Sequence, residues 1–228
     1  YPCIEFSPDA SCFTRTSNSY NLRGNEFQEQ KHDIDFRIFA VGSSTTNGAG
    51  ANDDETWPAH LQQIINEKIT DKKIEVINAG IYGASTETEY KLIKDKLSSL
   101  DPDLIIMYDG WNDAGIESTA KETIHNWDLA CKLGKAEGFD TIIIVQPIPI
   151  IGHRVLTEQE IVNSISNLQY LQSSQQFVDA FDELDKVCTK TADFRRIFNY
   201  VQEPIFYDNG HTLSFGNKII AENVFSVI

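Results

Sequence analysis

Four short groups of residues in this 228-residue chain have the types and spacing that acyl chemistry needs. Gly42-Ser43-Ser44-Thr45-Thr46-Asn47-Gly48 offers a hydroxyl in a tight turn. Asn78-Ala79-Gly80-Ile81-Tyr82-Gly83 and Asp109-Gly110-Trp111-Asn112-Asp113 offer backbone and side-chain amides. Asp208-Asn209-Gly210-His211 offers an imidazole with a carboxylate three residues before it. Acyl transfer requires a nucleophilic hydroxyl, a base, a group that orients the base, and donors aimed at the developing oxyanion. Ser44 suits the first role, because a hydroxyl at a helix start lies near the positive end of the helix dipole. An imidazole titrates near ~6.5 when unperturbed and can take that proton, which selects His211. Asp208 can accept from the other ring nitrogen. The backbone N–H groups of Ser44 and Gly83 and the side-chain amide of Asn112 can form the oxyanion hole.

Each group alone has a plainer reading. A Ser/Thr/Gly-rich turn after a strand is commonly only a turn, and Asp-x-x-His is explained by a surface helix cap. Gly83 can serve backbone conformation alone, and Asn112 or Asp113 can cap a helix. Four such groups in this order make the bland readings jointly improbable.

The elements that would position them follow a regular alternation. Phe36 to Val41 reads as a strand ending at Gly42, and Trp57 to Lys68 as a helix with Leu61, Ile64 and Ile65 on one face. Lys73 to Asn78 reads as a second strand, and Ser85 to Leu100 as a helix broken by Asp101-Pro102-Asp103. Leu104 to Tyr108 is a third strand, Thr119 to Glu137 a helix, and Thr141 to Val145 a fourth strand. Helical stretches near Glu158 to Gln172 and Ser174 to Thr191 precede a final helix from about Ser214 to Val227. Apolar strands alternating with helices indicate a parallel sheet covered on both faces, hence one three-layer α/β/α domain. Residues 1–34 are polar and irregular and read as an extension lying on that domain, which occupies 35–228. Ligands of open parallel sheets bind beyond the carboxyl ends of the strands. The first three groups lie there, and the fourth precedes the last helix.

Composition narrows the function. Hydrophobic residues make up 41% and charged residues 23%, as in ordinary globular proteins. No apolar run approaches the ~20 residues of a membrane helix, so stable membrane insertion is not expected. A net charge of -15 argues against nucleic acid and anionic surfaces as partners. The loop Gly42 to Gly48 lacks the Lys of a phosphate-binding loop, and no Gly-x-Ser-x-Gly elbow occurs. No His/Cys/Asp/Glu cluster has metal spacing, so neither metal nor cofactor is expected; Asp53-Asp54-Glu55 reads as a solvated helix start. His32, His60 and His125 fall in surface patterns, whereas His153 follows the fourth strand and can line the pocket. Of the cysteines, Cys3 and Cys12 are the expected pair, and Cys131 and Cys188, in helical patterns, could equally be buried free thiols. The chain begins at Tyr1 rather than Met. An exported protein that has lost a signal or anchor is the expectation, with the cytoplasm as the alternative.

Together the four groups resemble the SGNH (GDSL-type) hydrolase superfamily, and the resemblance runs from about Phe36 to the end. Gly42 to Gly48 is similar to the block written Gly-Asp-Ser-x-x-x-Gly, with Ser44 at the nucleophile position. Asn78 to Gly83, Gly110-Trp111-Asn112-Asp113 and Asp208 to His211 are similar to the remaining three blocks. They place Gly83 and Asn112 as oxyanion donors and Asp208 and His211 in the triad. Thr56-Trp57-Pro58, Gln146-Pro147, Leu156 to Glu160 and Asn21-Leu22-Arg23-Gly24-Asn25-Glu26 resemble further segments of microbial members. One departure is Ser43 where the family has Asp; in the family that Asp is mainly a local structural acceptor. The resemblance implies a flavodoxin-like sheet and ester or thioester hydrolysis without a metal. The expected substrate is a short acyl group, such as acetyl, on a carbohydrate or similar small ester, with Tyr82, Trp111 and His153 lining its site. Lipids or lysophospholipids are the alternative, with Ile81, Tyr82, Trp111 and Ile148 as an apolar rim. An O-acetyltransferase or a non-catalytic carbohydrate-binding protein would share the fold. Oligomeric state is not legible.

Overall fold

A computed structural model describes residues 13–115, 119–164 and 168–228. Five strands form one parallel sheet in the order β2-β1-β3-β4-β5: β1 (Phe36–Gly42), β2 (Ile74–Gly80), β3 (Leu104–Asp109), β4 (Asp140–Val145) and β5 (Lys190–Asp193). All four pairings are parallel, with Gly42 opposite both Gly80 and Tyr108 at the carboxyl end. Order reverses at β1, so the crevice between the loops after β1 and β3 is where such a sheet binds ligands.

The strands are legible because both faces are covered. Phe39, Val41, Ile105, Met107, Ile143 and Val145 face one helical layer with Trp127 and Phe177. Ile38, Ala40, Leu104, Ile106, Ile142 and Ile144 face the other, with Trp57, Leu61, Ile220 and Val224. That two-sided burial explains the unbroken apolar runs. Helix α2 (Trp57–Lys68) starts with Thr56 accepting the Ala59 N–H, with Pro58 in its first turn. It packs beside α9 (Ser214–Val227). On the other face, α3 (Thr86–Asp95) packs beside α5 (Ala120–Glu137), which opens with a Thr119/Glu122 capping box. The remaining helices are the short α1 (Ser44–Asn47) and α4 (Trp111–Gly115), then α6 (Glu158–Ser164), α7 (Leu168–Asp179) and α8 (Phe181–Leu184).

One expectation needs correction. The helical stretch from Ser174 to Thr191 is instead the end of α7, the short α8 and the edge strand β5. Lys190-Thr191-Ala192-Asp193 has only Ala192 as an apolar residue and so no apolar period, and as an edge strand it pairs on one side alone. Of the two readings left open for Cys131 and Cys188, the structure has the disulfide, which joins α5 to the segment before β5. The Cys3–Cys12 pairing falls outside the described residues.

Two buried arginines hold residues 13–34 against the sheet. Arg37, fully buried, pairs with Glu75 and donates to the carbonyls of Gln28, Glu29 and Leu100. Arg23 forms isolated bridges with Ser17 and Asn78 and is 5% exposed. No helix among the described residues is long and apolar enough to cross a membrane.

Candidate active site

The site is built from the carboxyl ends of three strands and the turn before α9. β1 delivers the chain into α1, whose first residue is Ser44. Gly42 is needed there, because a Cβ would meet Thr46 Oγ1 at 2.2 Å and the Tyr108 carbonyl at 2.6 Å. Two asparagines lock this turn to β2. Asn47 Nδ2 donates to the Gly80 carbonyl at 2.7 Å, and Asn78 Nδ2 donates to the Thr46 carbonyl at 2.9 Å. Trp57 Nε1 donates to Thr46 Oγ1 at 3.3 Å, and Thr45 Oγ1 donates to Gln146 Oε1 at 3.1 Å. Arg23 closes the far end of the turn. Its Nη1 donates to the carbonyls of Asn47 and Gly48 at 2.6 and 2.8 Å, Nη2 to that of Ala51 at 2.7 Å, and Nε to Asp53 at 2.7 Å.

Ser44 Oγ lies 2.7 Å from His211 Nε2, and His211 Nδ1 lies 2.7 Å from Asp208 Oδ2. Asp208 Oδ1 accepts the N–H groups of Gly210 and His211 at 2.9 and 2.7 Å, so the Asp-x-x-His spacing folds as a side-chain-closed turn. Burial pushes the Asp208 carboxyl up, but hydrogen bonds and charge from His211, with the two backbone donors, outweigh it and hold it below the usual carboxylate range. A low carboxylate beside Nδ1 holds a proton there and leaves Nε2 free to take one from Ser44. The Tyr207 ring stacks on His211 with centroids 5.6 Å apart. Gly50 leaves room for that ring, since a Cβ would come within 2.8 Å of it.

The other two expected oxyanion donors, Gly83 and Asn112, follow the ends of β2 and β3. The Gly83 φ of 70° belongs to the left-handed region, and a Cβ there would meet nothing within 4 Å, so conformation rather than space favours glycine. Asn112 Nδ2 donates to the Ala84 carbonyl at 2.8 Å, tying the loop after β2 to that after β3 and leaving its second N–H for another acceptor. Asp113 accepts the Thr86 N–H and hydroxyl, the latter at 2.7 Å.

Ser44, His211 and Asp208 are therefore brought into one hydrogen-bonded chain, with Asn112 beside Ala84. Tyr82 is 40% exposed and carries the Arg15 guanidinium 4.8 Å over its ring; Trp111 is half-buried against Tyr170. His153 is exposed and its ring makes no hydrogen bond among the described residues; only its backbone N–H is used, by Asn199. Ile148 is 2% exposed and belongs to the core rather than to an apolar rim. Sequence reasoning missed Tyr207 and the locking roles of Asn47, Asn78 and Arg23. Asn47, Asn78 and Arg23 lie within segments that already drew attention, but their partners are distant in sequence. No group of three or more His, Cys, Asp or Glu suited to a metal is found among the described residues.

The profile of the GDSL-like lipase/acylhydrolase family matches residues 40–193. No curated protein matches the chain by sequence. Among solved structures, an acetyl xylan esterase, AlAXEase, is 18% identical with a TM-score of 0.66, covering 85% of this chain and all of its own. Axe2, an acetylxylan esterase from Geobacillus stearothermophilus, is 16% identical with a TM-score of 0.63 over 86% of this chain and 95% of its own. TesA is 19% identical with a TM-score of 0.63 over 83% and 96%. At these identities the likeness is one of fold.

Proposed function

Because the chain belongs to the GDSL-like lipase/acylhydrolase family and is a carboxylic ester hydrolase, we propose that it removes short acyl groups, acetyl foremost, from carbohydrate or similar small esters through a Ser44 acyl-enzyme. The observation that carries the catalytic assignment is the continuous chain Ser44–His211–Asp208, with both links at 2.7 Å. Ser44 Oγ attacks the ester carbonyl as His211 Nε2 takes its proton, while the N–H groups of Ser44 and Gly83 and the amide of Asn112 receive the oxyanion. His211 then protonates the departing alcohol. It next removes a proton from water, whose attack on the acyl-Ser44 ester releases the acid and restores the hydroxyl.

The acetyl preference is supported by the acetyl xylan esterases among the structures of similar fold and by a Ser44 that is only 8% exposed. A longer acyl chain is the second reading, favoured by Leu213 and Phe215, which are 38% and 45% exposed just after His211. The Cys131–Cys188 disulfide supports an oxidising, extracytoplasmic setting. Hydrolysis of p-nitrophenyl acetate, butyrate and octanoate, alongside an acetylated xylo-oligosaccharide, tests the reading, with Ser44→Ala in parallel. Ser44-dependent turnover greatest on acetyl esters is expected. A preference for octanoate would move the assignment to lipid esters, and equal turnover by Ser44→Ala would remove Ser44 from the chemistry.

A further inference from the structure

The two loops that carry Gly83 and Asn112 are joined from behind by buried carboxyl groups that the proposed mechanism does not use. α3 begins just after Gly83, and β3 ends just before Gly110 and Asn112. Thr86 and Glu89, three residues apart on α3, share one helix face. They meet Asp113 and Asp109, which bracket Asn112. The first link is the Thr86 N–H and hydroxyl donating to Asp113. The second is the placing of the Glu89 carboxyl against that of Asp109, the charge that acts on it most strongly. Exposure is 0% for Glu89 and 1% for both aspartates.

Two carboxyl groups cannot hydrogen-bond unless one carries a proton. Asp109 accepts from Trp127 Nε1 at 3.3 Å and from the Gly110 N–H, and Asp113 accepts from Thr86 and Thr123. Neither carboxyl oxygen of Glu89 has a hydrogen-bond partner among the groups that the described residues offer in fixed positions, so only an acid proton of its own can pair it. Neither Glu89 nor Asp109 takes part in an ion pair among those residues. The ionisable groups facing Glu89 are Asp109 on β3 and Asp113 on α4; Trp127 and Asn126 on α5 and Tyr170 on α7 complete the surroundings of the two aspartates and Thr86. An ionised Glu89 would thus be a dry anion beside two others, so the proton belongs on Glu89.

We propose that Glu89 is a positioning residue, whose acid proton is donated to Asp109 so that this pair and the Thr86–Asp113 link fix the spacing between the Gly83 and Asn112 donors. Loss of that proton to solvent leaves two adjacent carboxylates, which repel and spread the two loops. The same environment raises all three groups. Burial first, then the charge of Asp109, push the Glu89 carboxyl well above its ordinary range. Burial also pushes up Asp109, and burial with the charge of Asp109 takes Asp113 to about 6.

The kinetic consequence rests on the ester-hydrolase reading, whereas the proton does not, and the test separates them. Infrared spectra of the full chain at pH 7 should contain a carboxylic-acid C=O band that Glu89→Gln removes. In kinetics, Glu89→Ala should lower kcat roughly 10- to 100-fold with a smaller change in KM, because displaced donors act on the transition state. Wild-type kcat should fall on the alkaline side as Glu89 loses its proton. Glu89→Gln, whose amide can donate to Asp109, should restore most of the loss seen in Glu89→Ala and abolish that fall. A spectrum without the band, or unchanged by Glu89→Gln, overturns the proton assignment whether or not turnover is found. Wild-type kcat in Glu89→Ala, or an unaltered alkaline limb in Glu89→Gln, overturns the positioning role.

Discussion

Arg23 offers a quantitative test of how the nucleophile turn is held. Its guanidinium is 5% exposed and fans across the carbonyls of Asn47, Gly48 and Ala51 and the carboxylate of Asp53. Nη2 also reaches the Thr14 carbonyl at 3.2 Å. Arg23→Met keeps much of the stem volume and removes every donor. Asn47 O retains a long contact from Asn78 at 3.4 Å, so Gly48 O and Ala51 O lose most. A hydrogen bond to a charged group is worth about 1.5–3 kcal/mol, and breaking a buried charged network about 3–5 kcal/mol. Because the Asp53 side chain is 25% exposed and can be rehydrated, the lower end applies, about 3–4 kcal/mol. In a domain of this size that corresponds to a fall in Tm on the order of 10 °C. Arg23→Lys keeps the charge but not the planar fork and should lose roughly half as much. Differential scanning fluorimetry reads the stability, and kcat on p-nitrophenyl acetate reads the turn. Because α1 starts at Ser44 and ends under this clamp, kcat should fall by about tenfold or more in Arg23→Met. A Tm within 2 °C or so of wild type would refute the energetic argument, and an unchanged kcat would refute the coupling to Ser44.

Other consequences follow from the same geometry. Asn112→Ala should lower kcat by roughly 10²–10³ with little change in KM if its amide receives the oxyanion, and unchanged turnover on an acetyl ester would remove it from that role. The Cys131–Cys188 bridge spans 57 residues, which the chain-entropy relation converts to about 4 kcal/mol. Thermal denaturation of Cys131→Ala/Cys188→Ala should show that loss, and a variant as stable as the wild type would contradict it. Stability should also depend on pH with a definite sign. Glu89, Asp109 and Asp113 titrate higher in the folded chain than their ordinary values. Their contribution is therefore full at low pH and is lost as pH rises through the folded values, for Asp113 between 3.8 and about 6. Asp208, held low, has the opposite sign and loses its contribution only as pH falls below its ordinary range. Urea midpoints should thus decline from pH 5 to 8, less steeply in Glu89→Gln, and a flat wild-type profile would count against the buried carboxyl cluster.

What was legible in the sequence follows from burial. Runs such as Leu104-Ile105-Ile106-Met107-Tyr108 announce strands because both sheet faces are covered, and the strand-end rule then gathers Ser44, Gly83 and Asn112 at one edge. The turn Asp208 to His211 was legible because its hydrogen bonds are local. β5 was not, because a four-residue edge strand with Ala192 as its one apolar residue carries no apolar signal. Cys131 and Cys188 are 57 positions apart, and helical patterning cannot report that their segments meet. Arg23, Asn47, Asn78 and Tyr207 act through partners set by tertiary structure, so their types were visible and their roles were not. Ile148 shows the converse error, since lying after β4 does not decide whether a side chain turns to the core, to solvent or to the pocket.

The central claim is that Ser44 carries the acyl group. Rapid acid quenching of the enzyme during turnover of p-nitrophenyl acetate, followed by peptide mass spectrometry, measures it directly. The account predicts one acetyl group on the peptide bearing Ser44, absent from Ser44→Ala, which should also have lost turnover. Acetylation at another residue, or undiminished hydrolysis by Ser44→Ala, would contradict it.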